Sequence, residues 1–187
     1  MKNRKIIYWI LISLLLTAAI TGTVFAYMFK RTEYKDNQFI PANVSCLVHE
    51  TTDNDGDVTN IKQKTSITVE NTGNIPAYIR VRLITYWVKD VGEGKVEITG
   101  RASEMPDIST ATGWVPGSNN TYYYRTPVAP GDFTQELLAK PIILAKDGDY
   151  LQVVEVFAEA IQSTPGDAVT SAWPITLNSD GYIATAN

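Results

Sequence analysis

"TSITVENTGNIPAYIRVRLITYWV", residues 65–88, decides the fold. In its first part Ile67 and Val69 alternate with polar neighbours, the period of two that marks a half-buried strand. Asn71-Thr-Gly-Asn74 and Pro76 then break the ladder, because glycine accepts unusual backbone angles and proline offers no N–H. The alternation resumes at once: Ile79, Val81 and Leu83 face one way, Arg80 and Arg82 the other. After Leu83 the phase changes, with Ile84, Tyr86 and Val88 apolar on the arginine side. That change predicts a bulge, or a strand passing from one sheet to another.

The same period extends outward. "FIPANVSCLVHE" places Ile40, Ala42, Val44, Cys46 and Val48 on one face, and "TTDNDGDVTN" reads as its hairpin loop. Downstream, "KVEITG", "TYYYRTPV", "TQELLAKPIIL" and a closing hairpin "ITLNSDGYI" continue the pattern of short strands between Pro, Gly, Asn and Asp breaks. "YLQVVEVFAEAIQ" fits a helix face as well, but the β-branched "VVEV" and the alternation of Val154, Val156, Ala158 and Ala160 with Glu155, Phe157 and Glu159 favour a strand. One short helix is expected near residues 165–173, capped by Ser163 or Thr164, with Pro165 in its first position and Pro174 as its stop. The expected fold is an all-β sandwich of jelly-roll or immunoglobulin-like type, with seven to nine strands.

Before the strands, Ile6–Phe29 carries no charge, behind a basic "MKNRK" start. Length permits a membrane span. The basic start, apolar core and weakening "TAAITGTVFA", with Val24 and Ala26 at −3 and −1, read as a signal peptide cut between Ala26 and Tyr27. An uncleaved anchor is the alternative, and in either case the membrane is met only through the precursor's hydrophobic helix. The chain then divides into a signal peptide (1–26), an N-terminal extension (27–38) and a β-sandwich domain (39–187).

The 187 residues hold 16 Lys and Arg against 20 Asp and Glu. Lys2, Arg4 and Lys5 fall in the leader, so the remainder is 13 against 20. An acidic surface argues against a nucleic-acid partner. A single Cys excludes an intramolecular disulfide, so the hydrophobic core alone must hold the domain.

Chemistry is sparse. The lone His49 precedes Glu50, but no second His completes H-E-x-x-H, and a strand would point Cys46 and His49 to opposite faces. Asp53, Asp55 and Asp57 resemble the opening of a calcium loop, yet Gly56 falls fourth rather than sixth and Lys64 stands where Glu belongs. No catalytic, cofactor-binding or metal-binding residues are expected, and no enzyme activity. Trp114, Tyr122 and Tyr124 form a candidate partner or ligand surface, alongside the plainer reading of an ordinary strand with Tyr123 opposite. Apolar residues on nominally outer positions (Ile84, Tyr86 and Val88 in one strand, Leu151, Val153, Phe157 and Ile161 in another) call for a cover, from loops and the short helix or from another polypeptide.

"ITVENTGNIPAYIRVRL" and "VVEVFAEAIQSTPGDAVTSAW" resemble the N-T-G-N-x-P-A-Y-x-R-V strand pair and the A-E-A-I-Q strand with its helix in TasA/camelysin-like secreted proteins of Gram-positive bacteria. The Ala26-Tyr27 junction is similar to the leader ends of that group. The resemblance implies a jelly-roll-like sandwich, export through a dedicated signal peptidase, and a place at the cell surface or in biofilm-matrix fibres. It further implies donor-strand exchange, in which the segment freed by cleavage (Tyr27, Met28, Phe29, Thr32 and Tyr34 within Tyr27–Gln38) inserts into the next subunit. The expected partners are other copies of the chain and an accessory matrix protein. Alternatives are a monomeric surface-binding module for a glycan or protein, and the secreted metallopeptidase activity linked to camelysin, for which the residues offer no zinc-ligand set.

Overall fold

The computed structural model describes residues 2–31, 41–53 and 62–187. It divides into two compact units, Met1–Pro41 and Ala42–Asn187. Among the described residues the first carries one helix, α1 (Lys2–Arg31). Within it Ile7–Val24, with a mean hydropathy of 2.0, is long and apolar enough to cross a membrane by length and composition. Its threonines do not spoil that character. Thr17, Thr21 and Thr23 each turn their hydroxyl back onto carbonyls three and four residues earlier, as in the 2.8 Å bond from Thr21 Oγ1 to the Thr17 carbonyl. Hydroxyls satisfied inside the helix need no water.

The second unit is mostly antiparallel β-structure. In chain order it contains β1 (Cys46–Thr52), β2 (Gln63–Asn71), β3 (Ala77–Gly92), β4 (Lys95–Ile98), β5 (Trp114–Pro116), β6 (Thr121–Tyr124), β7 (Ile142–Ile143), β8 (Lys146–Asp147), β9 (Tyr150–Gln162), α2 (Asp167–Ala172), β10 (Ile175–Leu177) and β11 (Ile183–Ala186). Strands β1-β2-β7 form one sheet. A six-stranded sheet runs β5-β6-β3-β9-β8, with β4 also beside β3, and β10-β11 is a separate hairpin.

Two hydrophobic clusters account for this arrangement. Ile67 and Val69 of β2 pack with Ile79, Val81 and Leu83 of β3, Val154 of β9, and Leu137, Leu138 and Ile142. This is the core between the three-stranded and six-stranded sheets. On the opposite face of the larger sheet, Tyr78 and Tyr123 pack with Val169 and Trp173 of the α2 region and with Ile175 and Ile183 of the hairpin. The six-stranded sheet is therefore covered on both sides at this end, and apolar residues of either parity are buried.

The pairing of β3 corrects the reading of its phase change. The strand pairs with β9 from Ala77↔Gln162 to Lys89↔Tyr150 with no register shift, so there is no bulge after Leu83 against β9 and no change of sheet. Tyr78 and Val88 are buried on one face and Ile79, Val81 and Leu83 on the other, within one unbroken ladder. Both faces are covered at the Tyr78 end, whereas further along Ile84 is 37 % exposed and Val88 is buried, so alternation alone does not tell which face is wet.

Two further corrections concern boundaries. The first strand starts at Cys46, and Ala42 and Val44 lie outside it; Phe39 and Ile40 are outside the described residues. Residues 43–45 instead dock on the Asn71–Asn74 turn: Thr72 N–H donates to the Ser45 carbonyl (3.1 Å) and Asn74 N–H to the Asn43 carbonyl (3.0 Å). The helix starts at Asp167 behind Gly166, with no side-chain cap from Ser163 or Thr164. Pro165 precedes it, and its carbonyl accepts from Ala168 N–H. The β9 strand, the β4 strand and the closing hairpin fall where the sequence places them.

The Asn-Thr-Gly-Asn turn has a physical reason for each end. Asn71 is fully buried; its amide donates to the Ile75 carbonyl (2.9 Å) and the Val128 carbonyl (2.8 Å), and its oxygen accepts from Gly73 N–H (2.9 Å). A Cβ on Gly73 would meet the Asn43 carbonyl oxygen at 2.5 Å, so the chain from residue 43 can lie close only above a glycine.

Candidate functional site

The aromatic residues singled out in the sequence are core. Trp114 is 5 % exposed and Tyr122 is 8 %. Trp114 donates its indole N–H to the Gln135 carbonyl (3.1 Å), and its ring lies 5.2 Å from that of the half-buried Tyr124. Burial pushes the Tyr122 hydroxyl above its ordinary pKa. Tyr123 faces the other way, against Trp173 at 5.7 Å. The expected ligand surface is thus corrected to an interior strand: Trp114 and Tyr122 are buried and Tyr124 is half-buried against them.

The open feature is an edge. Strand β9 is covered on its outer side by β8 only at Leu151 and Tyr150, with Gln152 N–H donating to the Ala145 carbonyl. From Val153 to Gln162 no described strand meets that side. Antiparallel alternation turns the N–H and C=O of Val154, Val156, Ala158 and Ala160 outward, on the same side as those of Gln152. Their side chains turn inward onto the main core. The residues between them, Glu155, Phe157, Glu159 and Ile161, occupy the opposite face, where Phe157 is 44 % exposed.

Strand β1 runs beside β9 and pairs only with β2, so its outer edge is open too among the described residues. Cys46 and Val48 pack from β1 on the same core as Val156, Ala158 and Ala160. The proximity is felt electrostatically: burial, and secondarily the Glu159 charge, push the Cys46 thiol above its ordinary pKa. Two edges that meet no described strand lie over small inward side chains. Such edges attract another strand, and charges such as Glu155 and Glu159 are a usual protection against uncontrolled pairing.

Of the candidate donor residues, Tyr27, Met28 and Phe29 belong to the last turns of α1, as does Ala26 at the expected cut, while Thr32 and Tyr34 lie outside the described residues. His49 does not approach Cys46 as a catalytic base. Its Nε2 is 2.9 Å from Glu70 Oε2, and its ring packs against Phe133. Among the described residues no three His, Cys, Asp or Glu side chains gather as metal ligands. Asp55 and Asp57 lie outside those residues, and Asp53 is already engaged, its Oδ1 accepting from Lys62 N–H (2.9 Å) and Gln63 N–H (3.1 Å).

The open edge of β9 was not among the residues singled out in the sequence. The sequence signal nearest to it was the apolar Phe157 on an outer position, which stays 44 % exposed, whereas Ile161 is covered by the α2 and hairpin cluster. Comparison with protein-family models, curated proteins and solved structures finds no match.

Proposed function

We propose that this chain is an exported structural subunit that self-assembles into extracellular or biofilm-matrix fibres. Its β unit is read as a jelly-roll or immunoglobulin-like sandwich that lacks a strand at the β1–β9 side. Signal peptidase cuts between Ala26 and Tyr27, and the freed Tyr27–Gln38 segment adds to the outer edge of β9 in the next copy.

The observation that carries this reading is the run Val153–Gln162, whose outer side no described strand meets. An incoming strand would gain ladder hydrogen bonds there, with alternate side chains setting the register. Extended at ~3.3 Å per residue, the donated segment spans roughly 40 Å, enough to cover that run. A head-to-tail contact of this kind does not close, so it grows into a filament. Before cleavage, Tyr27 to Arg31 are held in α1, which ties assembly to removal of the leader.

The test is electron microscopy and sedimentation of the chain beginning at Tyr27. Filaments should form, and should be lost on deletion of 27–38 or on Ala158→Pro, which removes an outward N–H from an edge where proline fits. A monodisperse monomer at high concentration, or filaments indifferent to both changes, would overturn the proposal.

A further inference from the structure

The edge of β3 opposite β9 has a gap of its own. Strand β6 ends at Thr121 opposite Arg82, and Asn120 extends the contact by accepting from Leu83 N–H (3.0 Å). Strand β4 begins only at Ile98 opposite Val88, with Thr99 N–H reaching the Trp87 carbonyl. Between them, Ile84 to Tyr86 face no described strand. By the alternation of the ladder, the main-chain N–H and C=O of Thr85 point to that side, as those of Leu83 and Trp87 do.

A cleft of about 340 Å³ opens there, lined by Arg82, Thr85, Ser103, Met105, Asn119 and Asn120. A second, of about 210 Å³, shares Arg82 and Asn119 and adds Arg80, Ser118, Tyr123 and the carboxylate of Glu159, which makes it the less suited of the two to an anion. Asn119 and Asn120 both have positive φ (53° and 54°), which holds the β5–β6 turn over the opening.

The two arginines differ in what they already hold. Arg80 is engaged, with Nη2 2.7 Å from Glu159 Oε2 and its guanidinium 4.9 Å from the centre of the Trp173 ring. Its buried Nε has no partner. Arg82 is exposed and makes no ion pair among the described residues. An unneutralised guanidinium among amides and hydroxyls is suited to a carboxylate that also carries hydroxyls. The edge gap is only three residues long, too short for a strand to add, which favours a compact ligand over an extended peptide.

From this we infer that the larger Arg82 cleft binds an acidic sugar, a uronate unit whose carboxylate meets Arg82 and whose hydroxyls meet Asn119 and Asn120; the Ser103 hydroxyl there is already held by Thr85 Oγ1 (2.9 Å) and Gln152 Nε2 (3.1 Å). Uronate binding at Arg82 does not rest on the fibre reading.

The test is isothermal titration of the full chain in non-ionic detergent with trigalacturonate as probe. The fully methyl-esterified trimer and triglutamate serve as comparisons. Trigalacturonate should bind, the ester about tenfold more weakly or less, and Arg82→Gln should cost about the same factor with thermal stability unchanged, as loss of one charge-assisted contact predicts. Three results would each overturn the inference: no heat at about 10 mM probe, a range well above ordinary site affinities; equal binding of acid and ester; or unaltered binding by Arg82→Gln. Triglutamate binding as tightly as the sugar would overturn the uronate assignment.

Discussion

Replacing Asn71 by Ala isolates what the buried turn contributes. The substitution removes three hydrogen bonds at a fully buried position. Their consequences differ. The Val128 carbonyl keeps a second donor, the Ala77 N–H at 3.0 Å, so it loses only a net contribution of about 1 kcal/mol. The Ile75 carbonyl and Gly73 N–H lose the partner they have. Both belong to half-buried residues that water reaches in part, which puts the cost near the low end of the range for unsatisfied groups, about 1–1.5 kcal/mol each. The sum is about 3–4 kcal/mol, a large share of the ~5–15 kcal/mol that holds an ordinary domain. For a unit of this size that lowers Tm by about 10 °C. Thermal unfolding of the full chain in detergent, followed by tryptophan fluorescence, reads it directly, because Trp87, Trp114 and Trp173 are all buried in the β unit. Asn71→Asp sharpens the test. At neutral pH it sets a carboxylate against two carbonyl oxygens, which raises its folded pKa above the unfolded value. Its destabilisation should therefore grow as pH rises through the unfolded pKa and ease in acid. A loss under about 1 kcal/mol for Asn71→Ala, or pH-independent loss for Asn71→Asp, would refute the reasoning.

Gly73→Ala should destabilise by about 2 kcal/mol or more by the same thermal assay, because its Cβ meets main-chain atoms that cannot swing aside. Trp114→Ala should cost about 3–5 kcal/mol in denaturant unfolding, as truncation of a core side chain does, rather than abolish a surface interaction. The Cys46 thiol, raised by burial and then by Glu159, should react slowly with a thiolate-selective disulfide reagent at pH 8 in the folded chain and at an ordinary rate in denaturant. The Asp53 carboxyl is held below its ordinary value of 3.8, first by the Lys62 N–H. Its contribution is present above the unfolded value and is lost as pH falls through the lower folded one. Asp53→Asn should therefore flatten the stability profile only below about pH 4, measured by acid titration of the unfolding midpoint.

What the sequence determined by itself was local. Period-two alternation placed β2, β3, β4, β9 and the closing hairpin, and the long uncharged run placed α1, because each follows from neighbours within a few residues. The Asn-Thr-Gly-Asn break was legible as a turn, but not as a buried amide clamp, since its acceptor at Val128 lies far along the chain. Tertiary structure alone decided which faces are wet. Trp114 and Tyr122 looked available because an aromatic-rich strand reads the same whether one sheet face or both are covered. The α2 region and β10-β11 supply the second cover, against Tyr123 and Tyr78. Strand order is likewise a long-range property. Alternation specifies which side chains point inward, but says nothing about which strand lies alongside. The open edge of β9 and the gap in β3 beside Arg82 became visible only once every described strand had its neighbours.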